Sequence, residues 1–300
     1  MAPFGSHLRA GSSAHTSGQA PTIGVFDSGF GGLTVLRVLL AVLPGANYLY
    51  FGDTARLPYG SKSAHTVAKY AISSALFLQE RGAEMLVIAC NTATALALDQ
   101  IKSAITLPVI GVVAPGAQRA AEISKTRKAA VIATEATVAS HAYEKALGTH
   151  GIQSTEKACP LLVPLVEEGW IDHPVTEQVA HIYIDEVFRN GAGGADVLLL
   201  GCTHYPILRE VIQQTVGDEV QLIDSGEATA VEVKSLLNEK SLARLTMPTG
   251  ALERHLCDDL DHFYVTDAAE RFSRVAERFL GVKPSRLEAV EIWGEDKLRA

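Results

Sequence analysis

The sequence predicts an α/β protein with parallel sheets, folded as about two domains. Three observations carry this. From residue 22 onward short apolar runs alternate with longer amphipathic segments, and strands that alternate with helices imply a parallel sheet covered on both faces. Several apolar runs end in Asp, Cys or Gly directly before a helical stretch, and ligands gather beyond strand ends in such sheets. The length of 300 residues fits two domains at roughly 150 residues each.

The elements follow in order. Thr22–Phe26 is an apolar strand. Leu33–Leu43 is a helix stopped by Pro44-Gly45, because Pro cannot continue a helix and Gly tolerates the turn that ends one. Asn47–Phe51 is a second strand. Ser63–Arg81 is a long helix with Gly82 as its stop. Met85–Ala89 is a strand, followed by a helix over Thr92–Ile105. Pro108–Val113 is a strand and Gly116–Ser124 a helix, and Ala129–Ala133 with the helix around Thr137–Leu147 repeats the unit. Thr176–Phe188 is a helix, Asp196–Leu200 a strand, Ile207–Thr215 a helix and Val220–Ile223 a strand. Phe263–Val265 and Ala268–Leu280 form the last strand and helix, and the charge-rich residues 283–300 read as peripheral.

Composition narrows the function. A net charge of −8 without a dense Lys/Arg run argues against a general nucleic-acid binder. No apolar stretch reaches the roughly 18 residues of a membrane span, and residues 1–21 have no apolar core of the secretory type. Those 21 residues, rich in Gly, Ser, Ala and His, read as a flexible N-terminal extension. The four cysteines, Cys90, Cys159, Cys202 and Cys257, are too few for a disulfide framework in a chain this long. A cytoplasmic location with reduced thiols is therefore expected.

Three strand ends carry candidate chemistry. The first, Val25-Phe26-Asp27-Ser28-Gly29-Phe30-Gly31-Gly32, ends a strand in Asp-Ser and opens a helix through glycines. Such a turn brings backbone amides close to an anion at a helix N-terminus, and equally serves as a plain capped turn. The second is Ala89-Cys90-Asn91-Thr92-Ala93-Thr94, where Cys90 precedes a helix whose N-terminus favours a thiolate and lowers the thiol pKa from about 8.5. The third is Gly201-Cys202-Thr203-His204-Tyr205-Pro206, in which His204 stands close enough to tune the thiol. A second Asp-Ser-Gly at Asp224-Ser225-Gly226 reads as a turn or cap.

A free cysteine is often only a buried space-filler, and Cys159 and Cys257 are read that way. Cys90 and Cys202 occupy matching places in the two halves of the chain. Two thiols on opposed faces of a cleft suit inversion at a carbon, one removing a proton and the other donating one. The rivals explain less. A disulfide oxidoreductase lacks its C-x-x-C, the Cys90, Cys202 and His204 set offers no zinc spacing, and a Cys–His hydrolase leaves one cysteine unexplained. A non-catalytic amino-acid sensor would use the anion site without needing both thiols.

The ordered motifs resemble glutamate racemases of the cofactor-independent aspartate/glutamate racemase superfamily. Besides the three strand ends, the resemblance rests on Tyr50-Phe51-Gly52-Asp53-Thr54-Ala55-Arg56-Leu57-Pro58-Tyr59-Gly60, Gly111-Val112-Val113-Ala114-Pro115-Gly116-Ala117 and Pro164-Leu165-Val166-Glu167-Glu168-Gly169. It implies two similar parallel-sheet α/β domains with the active site in the cleft between them. One would be residues 22–113 plus 226–300, the other 114–225. It implies interconversion of L- and D-glutamate without a cofactor and without a metal, supplying D-glutamate for peptidoglycan. By resemblance Cys90 acts on the D-enantiomer and Cys202 on the L-enantiomer, assisted by Asp27, Glu167 and His204. Asp27, Ser28, Tyr59, Gly60, Asn91, Thr92, Thr137, Thr203 and His204 match substrate-binding positions. A homodimer is implied, and in some members an N-terminal extension accompanies activation by a peptidoglycan precursor. Ala133 departs from the glycine usual before Thr134. An aspartate racemase is the nearest rival, and His204-Tyr205-Pro206 favours glutamate.

Overall fold

Two parallel sheets organise the chain in a computed structural model that describes residues 20–238 and 261–292. The first has six strands: β1 (Thr22–Asp27), β2 (Asn47–Gly52), β3 (Met85–Ile88), β4 (Val109–Gly111), β9 (Asp261–Val265) and β10 (Leu287–Ala289), in the order β10-β9-β2-β1-β3-β4. The second has four: β5 (Lys128–Ala133), β6 (Gln153–Ala158), β7 (Val197–Gly201) and β8 (Gln221–Asp224), in the order β6-β5-β7-β8. Every ladder is parallel. The expected architecture of two parallel-sheet α/β domains is the one observed. Residues 1–19 of the N-terminal extension, Cys257 and residues 293–300 lie outside the described residues.

The central strands are apolar throughout because helices cover both faces. Val25 and Val87 face one core with α1 (Leu33–Val42), while Phe26 and Ile88 face another with α2 (Ala64–Glu80) and α3 (Asn91–Ala104). Helix α1 buries Leu33, Leu36, Leu39 and Leu40, each contributing roughly 1.5–3 kcal/mol of burial. In the second unit Val131 and Leu199 pack under α4 (Val113–Ile123) and α6 (Ala142–Thr149). The α1 core continues into the other face of the second sheet, through Ile132, Leu198 and Leu200, to α8 (Pro174–Val187). That shared core holds the two sheets together.

The structure departs from the sequence reading in definite places. The helix expected around Thr137–Leu147 is two helices, α5 (Glu135–Ala139) and α6, broken where His141 turns left-handed at φ +55°. Helix α4 starts at Val113, shortening the strand before it. Strand β6, α7 (Leu162–Glu167), α10 (Ser225–Asn238) and β10 were not expected. Strand β6, Gln-Ser-Thr-Glu-Lys-Ala, is a polar edge strand, the type of edge that resists unwanted pairing and gives no apolar signal. Helix α7 is six residues long and contains Pro164, and α10 follows β8 without a break. Helix α9 (Arg209–Val216) and α11 (Ala269–Leu280) lie close to their expected spans.

Candidate active site

Cys90 stands two residues beyond β3 and caps α3: the Ala93 N–H donates to Sγ at 3.4 Å, and Sγ donates to Ser28 Oγ at 3.4 Å. Cys202 follows β7 directly, with His204 Nδ1 at 3.9 Å from its Sγ. Both thiols open into one cavity of ≈ 370 Å³, and both are about 95% buried. One comes from the six-stranded sheet and the other from the four-stranded sheet. A larger groove of ≈ 910 Å³ between α4, α9 and α10 is lined by none of the expected site residues.

Most of the expected residues meet at this cavity. Ser28, Tyr59, Gly60, Cys90, Asn91, Thr92, Glu167, Cys202, Thr203 and His204 all line it. Asp27 and Thr137 stand behind the wall. Asp27 accepts from the Gly29 N–H at 2.8 Å and from Thr203 Oγ1 at 3.5 Å. Thr137 is fully buried and closes a triangle of hydroxyls with Thr92 (3.2 Å) and Thr134 (2.9 Å), Thr92 and Thr134 being 2.9 Å apart. Asp224 is the turn residue expected, accepting the Gly226 N–H at 2.7 Å.

Hydrogen bonds from the two units hold this wall. Thr34 Oγ1, on α1, donates to the Thr203 carbonyl at 2.9 Å. The Asn91 amide donates to Tyr143 Oη at 2.7 Å; Tyr143 donates to Ser225 Oγ at 2.9 Å, and Ser225 donates to the Leu200 carbonyl at 3.3 Å. This buried chain runs from the residue after Cys90 to the strand before Cys202. Tyr143→Phe leaves two buried polar groups without their partner, which costs about 1–3 kcal/mol; urea denaturation should show an unfolding free energy lower by that amount. Tyr59 donates its hydroxyl to Asp53, which also binds Arg56 Nε at 2.7 Å and accepts from Thr266 Oγ1 at 3.0 Å. The Tyr59 hydroxyl is thereby turned away to anchor the loop. Gly60 lies against Thr134, where a Cβ would fall 2.9 Å from the threonine Cβ.

Burial reverses one expectation. The α3 N-terminus was expected to lower the Cys90 pKa, but burial, reinforced by the Asp27 charge, pushes the thiol up to about 12. Burial likewise raises the Asp27 carboxyl, against the opposing charge of His204 and its hydrogen bonds. His204 goes the other way from its own burial, which would lower it: hydrogen bonds to Cys202 and to Glu167 Oε1, the latter at 3.2 Å, raise it to about 10. A proton held more tightly folded than unfolded adds stability in full below the ordinary pKa of 6.5, and that stability is lost as pH rises through about 10. Denaturation of wild type and Glu167→Gln at pH 6.5 and 10.5 should therefore show the larger loss from the substitution at pH 6.5.

Several lining residues were not among the expected site residues, although Leu57 and Pro164 fall within the motifs quoted above. Thr134 and Glu135 complete the polar wall, while Leu57, Pro160, Val163 and Pro164 form an apolar one. The last three lie in the segment around α7, whose strand and helix were also missed. Arg271, on α11, reaches Glu167 Oε2 at 3.2 Å. Among the described residues no cluster of three His, Cys, Asp or Glu could hold a metal, and no helix is long and apolar enough to cross a membrane.

The small cavity is thus flanked by a thiol from each of two parallel-sheet domains. Residues 33–233 match the family model described as Asp/Glu/Hydantoin racemase. The chain is 52% identical over 290 residues to the glutamate racemase of Koribacter versatilis, covering 93% of this chain and all of that one. Among solved structures it superposes on the glutamate racemase isoform RacE1 from Bacillus anthracis with a TM-score of 0.83 at 34% identity, over 91% of this chain and 98% of that one. It also superposes on the glutamate racemase from Francisella tularensis in complex with D-glutamate, with a TM-score of 0.80 at 36% identity, over 92% and 98%. The chain belongs to the Asp/Glu racemase family, and within it to the glutamate racemases.

Proposed function

We propose that the chain interconverts L- and D-glutamate by moving protons at Cα between Cys90 and Cys202. The observation that carries this is the opening of the two thiols, each from its own sheet, into one cavity. In the L-to-D direction the Cys202 thiolate takes the Cα proton. The electron pair left on Cα spreads into the α-carboxylate, and the Cys90 thiol delivers its proton to the opposite face. The D-to-L direction reverses these steps. After one turnover the thiols have exchanged protonation states, and the enzyme resets by proton exchange.

The surroundings support these roles. Cys90, pushed up to about 12, rests as a thiol and is ready to donate. To act as a base on D-glutamate it must lose that proton, and Asp27, raised by burial, is the group that can hold it. The substrate ammonium offsets the charge that disfavours the thiolate. His204, protonated at neutral pH, lies between Glu167 and Cys202. Ser28, Asn91, Thr92 and Thr203 offer neutral donors to the carboxylates, with the α3 N-terminus behind them. Fixed donors aimed at developing charge lower the barrier without reorganising.

The proposal extends to the wider roles that the resemblance implies. These are supply of D-glutamate for peptidoglycan, a cytoplasmic location and a homodimer. The domain boundaries 22–113 plus 226–300 and 114–225 are proposed on the strength of the sheet membership. Activation by a peptidoglycan precursor is tied to an extension whose residues 1–19 are not described. Chiral chromatography after incubation with each enantiomer of glutamate and of aspartate tests the substrate. Both glutamates should converge on an equal mixture while the aspartates stay unchanged. Preferential turnover of aspartate would overturn the assignment.

A further inference from the structure

Glu167, His204 and Cys202 form a line toward the reacting carbon, yet all three come from the second unit, and the line starts in a helix of only six residues. A short helix cannot hold a carboxylate rigidly by itself, because its last carbonyls lack intrahelical partners. The missing support comes from α11, the helix between β9 and β10 of the other sheet. Arg278 Nη1 donates to the carbonyls of Val166 (3.2 Å) and Glu167 (2.9 Å), the last two residues of α7. About two turns earlier on the same helix, Arg271 Nη2 donates to Glu167 Oε2 at 3.2 Å, leaving Oε1 for His204. The Arg271 guanidinium also lies over the Phe30 ring, 5.5 Å from its centre, and Phe30 lines the cavity.

We propose that Arg271 and Arg278 are positioning residues that grip the end of α7 from the opposite domain and so aim the Glu167–His204 pair at Cys202. With Oε2 held by Arg271, the Glu167 carboxylate cannot rotate away from the imidazole. The backbone is shaped for the grip. Gly169, just beyond α7, has φ +82°, and a Cβ there would fall 2.8 Å from the Arg278 guanidinium carbon. Glycine is thus needed for both the turn and the approach of the arginine. Because the arginines and the Glu167–His204–Cys202 line belong to different units, the Cys202 half of the reaction depends on the two units being correctly seated. The Cys90 half, held within the first unit by Ser28 and α3, does not depend on this grip.

This inference rests on the two-thiol reading, and the test separates the two. Arg271→Met keeps most of the aliphatic stem and removes the charge; Arg271→Lys restores a cation. Steady-state rates are measured with L- and D-glutamate carrying hydrogen or deuterium at Cα. Arg271→Met should lower kcat about tenfold, a part of the roughly 10²–10⁴-fold that an acid–base group contributes. Its isotope effect should rise with deuterated L-glutamate, whose bond breaks at Cys202, and fall with deuterated D-glutamate, whose bond breaks at Cys90. Arg271→Lys should move both back toward wild type. A general loss of folded enzyme cannot drive the two isotope effects in opposite directions. Isotope effects unchanged in Arg271→Met, or shifted alike for both enantiomers, would overturn the positioning role alone. A Cys202→Ala enzyme that racemises at the wild-type rate would overturn the reading beneath it.

Discussion

Cys90→Ala and Cys202→Ala should each lower racemisation by about 10²–10⁴-fold, the contribution of one acid–base group, while the protein stays folded. Both thiols are buried at the cavity wall, and alanine fits in the space of either without a new polar group. The expected effect is therefore chemical. Each variant retains one competent thiol and can still break a Cα–H bond in one enantiomer. Cys90→Ala should catalyse solvent exchange of the Cα hydrogen of L-glutamate faster than it forms the D-product, and Cys202→Ala should do the same for D-glutamate. Chiral analysis of the product with NMR detection of the Cα hydrogen checks both statements. Equal loss of exchange for both enantiomers in both variants would remove the assignment of faces.

Gly31→Ala should be nearly as damaging, though Gly31 carries no chemistry. A Cβ there would fall 2.1 Å from Thr203 Oγ1 and 2.6 Å from His204 Nδ1. Neither side chain can stay where it is. Thr203 is tied by its hydroxyl to Asp27 and by its carbonyl to Thr34, and His204 is tied to Glu167. A displacement of about 1 Å at a reacting group costs on the order of 10²-fold in rate, so kcat/KM should fall by about that factor. The stability cost should be that of modest overpacking, about 1–3 kcal/mol. Steady-state kinetics beside a denaturation curve separates the two. Full activity in Gly31→Ala would mean that the placement of Thr203 and His204 is unimportant.

The legible part of the site was the part written locally. Cys90 and Cys202 each end an apolar strand and start a helix, a junction visible as a change of period within ten residues. Ser28, Asn91, Thr92, Thr203 and His204 come with those junctions, and all of them reach the cavity. What escaped the sequence depends on residues far apart in the chain. The Asn91–Tyr143–Ser225 chain joins three helices, and Arg271 meets Glu167 across 104 positions. An arginine on the polar face of an amphipathic helix reads as solvated until its partner is known. The sign of the Cys90 shift was missed for the same reason. The helix end beside it is a local feature that lowers a thiol pKa, whereas burial under both sheets and the nearby Asp27 are tertiary features, and here they outweigh it. Strand β6 and helices α7 and α10 went unread because polar edges, an internal proline and a direct strand-to-helix passage each erase the usual punctuation.

The most direct measurement is racemisation of each pure enantiomer in heavy water, stopped after a few per cent conversion, with deuterium at Cα quantified separately in product and in recovered starting material. A donor on the face opposite the base delivers solvent-derived hydrogen as the centre inverts, so the newly formed enantiomer should carry deuterium while the remaining one stays almost fully protiated. Product that retains the original hydrogen, or deuterium entering both pools equally from the outset, would contradict the account.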